Sequence, residues 1–84
     1  AAQSWPKFPL ARDNYYGKGG IVHADSLKTW QRQMHARGWQ INVNGWADDN
    51  CIAVAIAFQR EKRLGIDGRI GINTWNAAWT APIT

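Results

Sequence analysis

Few residues of this 84-residue sequence have the types and spacing that catalysis requires. Cys51, with His23 or His35 as base, is the only conceivable nucleophile pair. A helix start lowers the pKa of a nearby thiol, but we expect a small packed thiol here all the same. Asp48 and Asp49 are adjacent and so do not face each other on a helix, whereas glycoside hydrolysis needs two carboxylates set apart across the bond. The pattern predicts a helix cap beside a solvated carboxylate, and no catalytic residue.

The same residue types do not suggest a metal site. His23 and His35 lack a third ligand at suitable spacing, and Cys51 is the single cysteine, with no C-x-x-C pair. One cysteine also excludes an internal disulfide, so we expect packing alone to stabilise the domain. We therefore expect neither a metal nor a cofactor.

Aromatic residues are the stronger candidates for function, as ligand-binding groups. The 6 Trp, 2 Tyr and 2 Phe exceed what the core of so short a chain can hide. Trp30, Trp75 and Trp79 fall on predicted helix stripes, so we assign them to the core. Trp39 and Trp46 lie just past a helix end and inside a turn, where an indole either caps the edge of the core or lies against a sugar ring.

Polar side chains accompany these two indoles. Arg37, beside Trp39, is either a surface charge or the partner of a carboxylate. Asn44 and Asp67 either bond their own turns or reach a ligand. The predicted ligand-binding residues are Trp39, Trp46, Arg37, Asn44, Asp48 and Asp67.

The chain is modestly basic, with a net charge of +4 and a pI near 9.7. This charge suits nucleic acid, an anionic membrane or a polyanionic cell wall. The one tight cluster is Arg60, Lys62 and Arg63, and residues 70–84 contain no lysine or arginine, so a basic recognition helix is missing. With neither a signal peptide nor an apolar stretch of about 20 residues, we expect a soluble fragment without a membrane partner.

The first predicted helix follows an N-cap at Asp25 or Ser26 and closes at Gly38, which can adopt the left-handed conformation. Beyond it, polar and apolar residues alternate. This alternation predicts a short extended segment with Ile41 and Val43 on one face.

The second and third helices are predicted from apolar periodicity and caps. The second covers residues 50 to about 63 behind a cap at Asp48 or Asp49, and is apolar on most of its circumference. The third covers residues 72 to about 79. The tail, from residue 80, contains a proline and is expected to fray.

Residues 1–24 contain two prolines and a Gly-Lys-Gly-Gly run, which disfavour helix and strand. The apolar side chains among them are too many for a free linker, so we expect an arm that lies across the helices; a disordered linker is the alternative. The apolar side chains are Trp5, Phe8, Leu10, Tyr15 and Tyr16. The domain proper is expected to cover residues 25–80, leaving 81–84 as a tail.

An internal repeat relates the two turns of the chain. Asn44-Gly45 matches Asp67-Gly68, Asn50 matches Asn73, and each turn leads into an apolar-periodic run. The sequence therefore predicts an all-α fold, a small three-helix bundle built from two degenerate helix-turn units with an irregular N-terminal arm.

The two units carry a recognisable pattern. A helix ending in Gly-Trp (residues 38–39) precedes Ile-x-Val-Asn-Gly (residues 41–45). A helix of Ala-Phe-Gln-Arg-Glu-Lys (residues 57–62) precedes Leu-x-Ile-Asp-Gly-x-Ile-Gly-x-x-Thr-Trp (residues 64–75). Over residues 27–79 the chain resembles the peptidoglycan-binding domain found beside catalytic domains in bacterial and phage cell-wall hydrolases.

Two further segments refine this resemblance. Residues 8–10 and 15–17 are similar to the lead-in of lysins from phages that infect actinobacteria. The first turn departs from the family pattern Asp-Gly-x-aromatic-Gly-Pro-x-Thr, since residues 44–51 read Asn-Gly-Trp-Ala-Asp-Asp-Asn-Cys. The second glycine and the proline are lost, and Cys51 replaces the threonine.

The resemblance implies a binding role without chemistry of its own. We expect a non-catalytic module that targets a covalently linked peptidoglycan hydrolase, a phage endolysin, to the bacterial wall after synthesis in the host cytoplasm. The expected partner is peptidoglycan, through its glycan or its stem peptide, rather than nucleic acid. A small basic nucleic-acid-binding domain is the alternative, and a self-sufficient hydrolase comes last.

Overall fold

The computed structural model describes residues 5–82 of the chain. These residues form three helices, α1 (Leu27–Ala36), α2 (Asp49–Glu61) and α3 (Ile72–Thr80), with isolated β-bridges and no strand. The predicted small all-α, three-helix fold is confirmed. No helix in this part of the chain has the length and apolar character needed to cross a membrane. Residues 1–4 of the predicted arm and 83–84 of the tail lie outside the described residues.

The helix boundaries follow local chemistry, with one wrong prediction. Asp48 caps α2, its Oδ1 accepting from the Cys51 amide at 2.9 Å. Neither Asp25 nor Ser26 caps α1, because Ser26 has helical backbone angles and makes no capping bond. The Ser26 hydroxyl instead pairs with the hydroxyl of buried Tyr16 at 2.6 Å, giving that phenol the partner it needs.

The helix ends also have specific causes. Gly38 follows α1 with φ +101°, as the glycine signal predicts. The second helix ends at Glu61, slightly before the predicted position, because Arg63 is left-handed with φ 57°. The amide of Leu64 then returns to the Gln59 carbonyl at 2.8 Å. After α3, the Arg37 side chain donates to the carbonyls of residues 81 and 82, and Lys62 also donates to the carbonyl of residue 82. These bonds hold the two residues against the helices.

The core fills the space between the helices with large side chains. Trp30 and Trp75 are buried, as predicted, whereas Trp79 is half-buried against the core. The Trp30 indole donates to the Thr74 carbonyl at 3.3 Å and so links α1 to α3. Other fully buried side chains include Tyr16, Leu27, Met34, Phe58 and Ile70.

The segment between α1 and the first turn is not the regular extended piece that alternation predicts. Ile41 is 5% exposed but Val43 is 39% exposed, so the two side chains do not share a buried face. The side chain of Asn50 holds the backbone of this segment, because it accepts from the Asn42 amide and donates to the Gln40 carbonyl.

The N-terminal arm (residues 5–24) packs on the helices. Phe8 is buried and lies edge-on to Trp75, with ring centroids 5.7 Å apart. Tyr16 stacks near the same indole and exchanges both backbone hydrogen bonds with Ile70. The Trp75 indole donates to the Pro6 carbonyl at 2.9 Å. The arm is thus part of the core of the domain.

Candidate functional site

Two buried glutamines organise the two turns in the same way. The first turn is residues 44–47 and the second is residues 67–70. Gln31 of α1 and Gln59 of α2 are both fully buried. Each uses its carboxamide oxygen to accept from two successive turn amides and its NH₂ group to donate back to the turn. The internal repeat in the sequence is therefore also a repeat of hydrogen bonds.

In the first turn, the Gln31 oxygen accepts from the amides of Asn44 at 3.0 Å and Gly45 at 2.8 Å. Its nitrogen donates to the Trp46 carbonyl at 2.9 Å. The Asn44 side chain accepts from the Trp46 amide, also at 2.9 Å. Both backbone groups of Trp46 are therefore held by side chains.

Trp46 presents an exposed indole from this fixed backbone. It is 49% exposed, the largest side chain among the exposed apolar residues described. His23 of the arm stacks on it, with ring centroids 4.2 Å apart and planes 27° from parallel. A β-bridge between the two residues holds their backbones side by side. The two stacked rings form an aromatic plate carried by the first turn and by the arm.

The arm reaches the first turn through a close backbone approach. The Ala24 amide donates to the Gly45 carbonyl at 2.9 Å, and the Ala47 amide donates to the Val22 carbonyl at 2.8 Å. Gly45 has φ +78°, and a Cβ there would lie 2.9 Å from the Ala24 carbonyl oxygen. Glycine is thus required both for the turn and for docking the arm that carries His23.

Trp39 and Arg37 lie away from this plate, in structural contacts. Trp39 is half-buried, edge-on to Phe58 with centroids 6.2 Å apart. The Arg37 guanidinium lies over the same ring and donates to the carbonyls of Ala78, Ala81 and Pro82. Its charge therefore sits against the carbonyl-rich end of α3, where a cation is favourable.

The predicted polar ligands mostly bond their own turns. Asp48 caps α2 with one oxygen and accepts from Asn44 Nδ2 at 3.3 Å with the other. Asp67 Oδ1 accepts from the Arg69 amide and from Gln59. The structure therefore places these carboxylates where they hold the turns, and of the predicted set it leaves Trp46 as the exposed aromatic group.

Cys51 is fully buried at the start of α2. Burial raises the pKa of its thiol to about 11; a hydrogen bond with Gln31 lowers it and the charge of Asp48 raises it. At the start of α3, Thr74 takes the matching place and its hydroxyl accepts from Gln59 at 3.1 Å. The thiol is thus a packing and hydrogen-bonding group. Across residues 5–82 no three His, Cys, Asp or Glu side chains are grouped to hold a metal ion.

A surface feature that the sequence analysis missed lies beside the second turn. A cleft of about 580 Å³ separates the arm from α3, and of the predicted ligand residues only Asp67 lines it. We call it the arm cleft; its polar lining includes Arg12, Asn14, Tyr15, Asn73 and Asn76. In the sequence, the signal for this cleft is that two asparagines of α3, Asn73 and Asn76, lie beside the apolar stripe of that helix.

Comparisons with models of known families, with curated proteins and with solved structures find no significant match to this chain.

Proposed function

We propose that this chain is a non-catalytic module that binds bacterial peptidoglycan and holds a linked cell-wall hydrolase, a phage endolysin, at its substrate. Two lines support the proposal. One is the resemblance of residues 27–79 to peptidoglycan-binding domains. The other, which carries it, is the exposed indole of Trp46 stacked on His23.

An exposed aromatic plate suits the binding of a sugar ring. The axial hydrogens of a pyranose form an apolar face, and an indole offers a flat apolar surface with an N–H at its edge. The Trp46 backbone is already held by Gln31 and Asn44. Less freedom is therefore lost when a ligand binds, and this preorganisation strengthens binding.

Modest affinity is sufficient for such a role. A linked catalytic domain is confined near the wall once the module binds, so its effective concentration at the substrate rises steeply. The wall is also a polymer with many equivalent sites, which favours rapid rebinding. The module therefore needs only to hold the hydrolase on the wall, and it needs no chemistry of its own.

The decisive experiment is a pull-down of the chain with purified actinobacterial peptidoglycan, with duplex DNA tested in parallel at moderate salt. We expect retention on the wall and little on DNA, because α3 carries no basic residue. Retention on DNA with none on the wall would contradict the proposal and favour the nucleic-acid alternative.

Substitution of Trp46 tests the aromatic plate. We expect Trp46→Ala to abolish most wall retention while moving the melting temperature by only a few degrees, since the side chain is half exposed. Ile66→Ala is the matched control, because Ile66 is 53% exposed and lies at the other turn; it should retain wall binding. Trp75→Ala should instead cost roughly 3–5 kcal/mol as a buried aromatic deletion. Unfolding of Trp46→Ala would assign that indole to the core.

A further inference from the structure

The arm cleft is a second surface with the features of a ligand site. Its main compartment, of about 580 Å³, lies in the size range of small-molecule pockets, about 300–1,000 Å³. A neighbouring compartment of about 490 Å³ is lined by Phe8 and Leu10 of the arm. The two compartments share Arg12, Ile72, Asn73 and Asn76. Because they share these four residues, the two compartments adjoin beside α3 and form one groove.

Polar groups in this groove are available to a ligand. Asn73 is exposed, and its side chain has no hydrogen-bond partner among residues 5–82; the same holds for Arg12. Asn76 accepts from the Trp5 indole through Oδ1 at 2.9 Å, which leaves its NH₂ group to donate. The contrast is with the first turn, where the Asn44 and Asp48 side chains are used within the turn.

The chemistry of these groups favours a neutral, hydroxyl-rich and amide-rich ligand. Carboxamides carry a donor and an acceptor side by side, which matches a sugar hydroxyl or an acetamido group. The main compartment is lined by two arginines and two aspartates, Arg12, Arg69, Asp13 and Asp67, and the neighbouring compartment adds Lys7. The groove therefore holds only one of the four excess positive charges of the chain, and a polyanion is not selected.

Apolar surface completes the fit to a sugar. Tyr15 lines the groove, and the Arg69 guanidinium lies over its ring, 4.7 Å from the centroid. Ile72 supplies aliphatic surface between the two compartments. A ligand with flat apolar faces and polar edges, such as an oligosaccharide, uses both kinds of surface.

We infer that the arm cleft binds a glycan strand of N-acetylated amino sugars, as a second saccharide site separate from the Trp46 plate. The inference rests on the proposed function, because it names which part of the wall polymer this surface takes. It also gives the arm a direct role in recognition: Arg12, Asn14 and Tyr15 form one wall of the groove.

The test is an NMR titration of the ¹⁵N-labelled chain with the tetrasaccharide of N-acetylglucosamine. The tryptophan indole N–H signals report by site, since Trp5 bonds Asn76 at the cleft and Trp46 lies at the first turn. We expect the tetrasaccharide to shift the Trp5 indole and the Asn73 and Asn76 side-chain amides, and to do so also in Trp46→Ala. The glucose tetrasaccharide without acetamido groups should bind more weakly.

A matched pair of variants locates the site. Asn73→Leu removes an exposed, unbonded carboxamide from the cleft and should weaken binding at the Trp5 reporter about fivefold, the value of one hydrogen bond. Asn42→Leu makes the same change at an exposed position outside the cleft and should leave binding unchanged.

Two results would overturn the inference. Shifts confined to Trp46 would assign saccharide binding to the first turn alone, and shifts at the cleft caused by free stem peptide but not by the tetrasaccharide would assign the groove to peptide. Wall retention, measured separately, keeps the two proposals distinct. If the chain is retained on the wall but the cleft signals do not shift, only this inference is overturned. If the cleft signals shift but the chain is not retained on the wall, this inference is supported and the proposed function is contradicted.

Discussion

A carboxamide suits the centre of each turn because it combines an acceptor and a donor group in one short side chain. Gln59 accepts from the amides of Asp67 and Gly68 and donates to the Arg69 carbonyl. A carboxylate at this place would lose the donor, and an aliphatic side chain would leave several buried backbone groups unpaired, at about 1–3 kcal/mol each. The same reasoning applies to Gln31, so both glutamines are required by the backbone they hold.

At residue scale, the buried thiol of Cys51 predicts a pH dependence of stability. Its pKa is about 11 in the folded protein against an ordinary value of 9.0. The folded state therefore holds the proton more tightly, and stability is lost as the pH rises from about 9 towards 11. The loss reaches about 2–3 kcal/mol.

The measurement is the free energy of unfolding in urea at pH 8 and pH 10.5, for the unmodified chain and for Cys51→Ser. The stability advantage of the unmodified chain should shrink at the higher pH. Burial also raises the pKa of Tyr16, but that contribution is common to both proteins. A constant difference between the two proteins would show that the thiol does not titrate in this way.

Residue types alone predict only part of the candidate site. The exposure of Trp46 follows from its place inside a turn, and the burial of Trp75 follows from its helix stripe. Arg37 differs: a lone arginine beside an indole does not reveal that carbonyls at the far end of the chain bond it. The predicted cap at Ser26 is wrong for the same reason, because the partner of its hydroxyl, Tyr16, lies in the arm. Such partners depend on tertiary contacts that local sequence does not encode.

At the scale of elements, the first turn predicts unequal effects of two glycine substitutions. Gly38 and Gly45 both have positive φ, so alanine is strained at each, by about 1–2 kcal/mol. At Gly38 a Cβ meets nothing within 4 Å, whereas at Gly45 it lies 2.9 Å from the Ala24 carbonyl oxygen. Gly45→Ala should therefore cost about 2–4 kcal/mol and Gly38→Ala no more than about 2 kcal/mol.

Urea denaturation of the two variants measures this difference, and the wall pull-down adds a functional readout. Gly45→Ala should also reduce wall retention, because it displaces the arm segment that stacks His23 on Trp46. Gly38→Ala, which leaves that segment in place, is the control. Equal costs in both variants would mean that the arm does not press closely on the turn.

The helices themselves were largely predictable, whereas the arm cleft was not. Apolar periodicity, the cap at Asp48 and the glycine at Gly38 each act within a few residues, so the order and extent of α1 to α3 follow from local signals. The cleft depends on residues 12–15 lying against residues 72–76, which no periodicity connects. Its polar residues become a site only through that long-range packing.

At the scale of the whole molecule, the arm contacts both turns of the chain. Tyr16 bridges to Ile70 beside the second turn, and Ala24 bonds Gly45 in the first turn. Near its start, Phe8 packs against Tyr16 and Trp75. A domain of this length buries only about 60% of its unfolded surface, so the aromatic side chains of the arm form a substantial share of its core. The arm and helices should therefore unfold together.

Phe8→Ala tests this cooperativity. Phe8 is 5% exposed, and deletion of a buried aromatic ring costs about 3–5 kcal/mol. In a domain of this size that lowers the melting temperature by about 12 °C or more, at roughly 4–8 °C per kcal/mol. The exposed neighbour provides the control: Lys7→Ala should melt like the unmodified chain. Near-ultraviolet dichroism reports the aromatic packing and far-ultraviolet dichroism the helices, and we expect their transitions to coincide in every variant. An aromatic signal lost well below the helical one would show that the arm is a detachable strap, and that the cleft it forms with α3 opens before the domain unfolds.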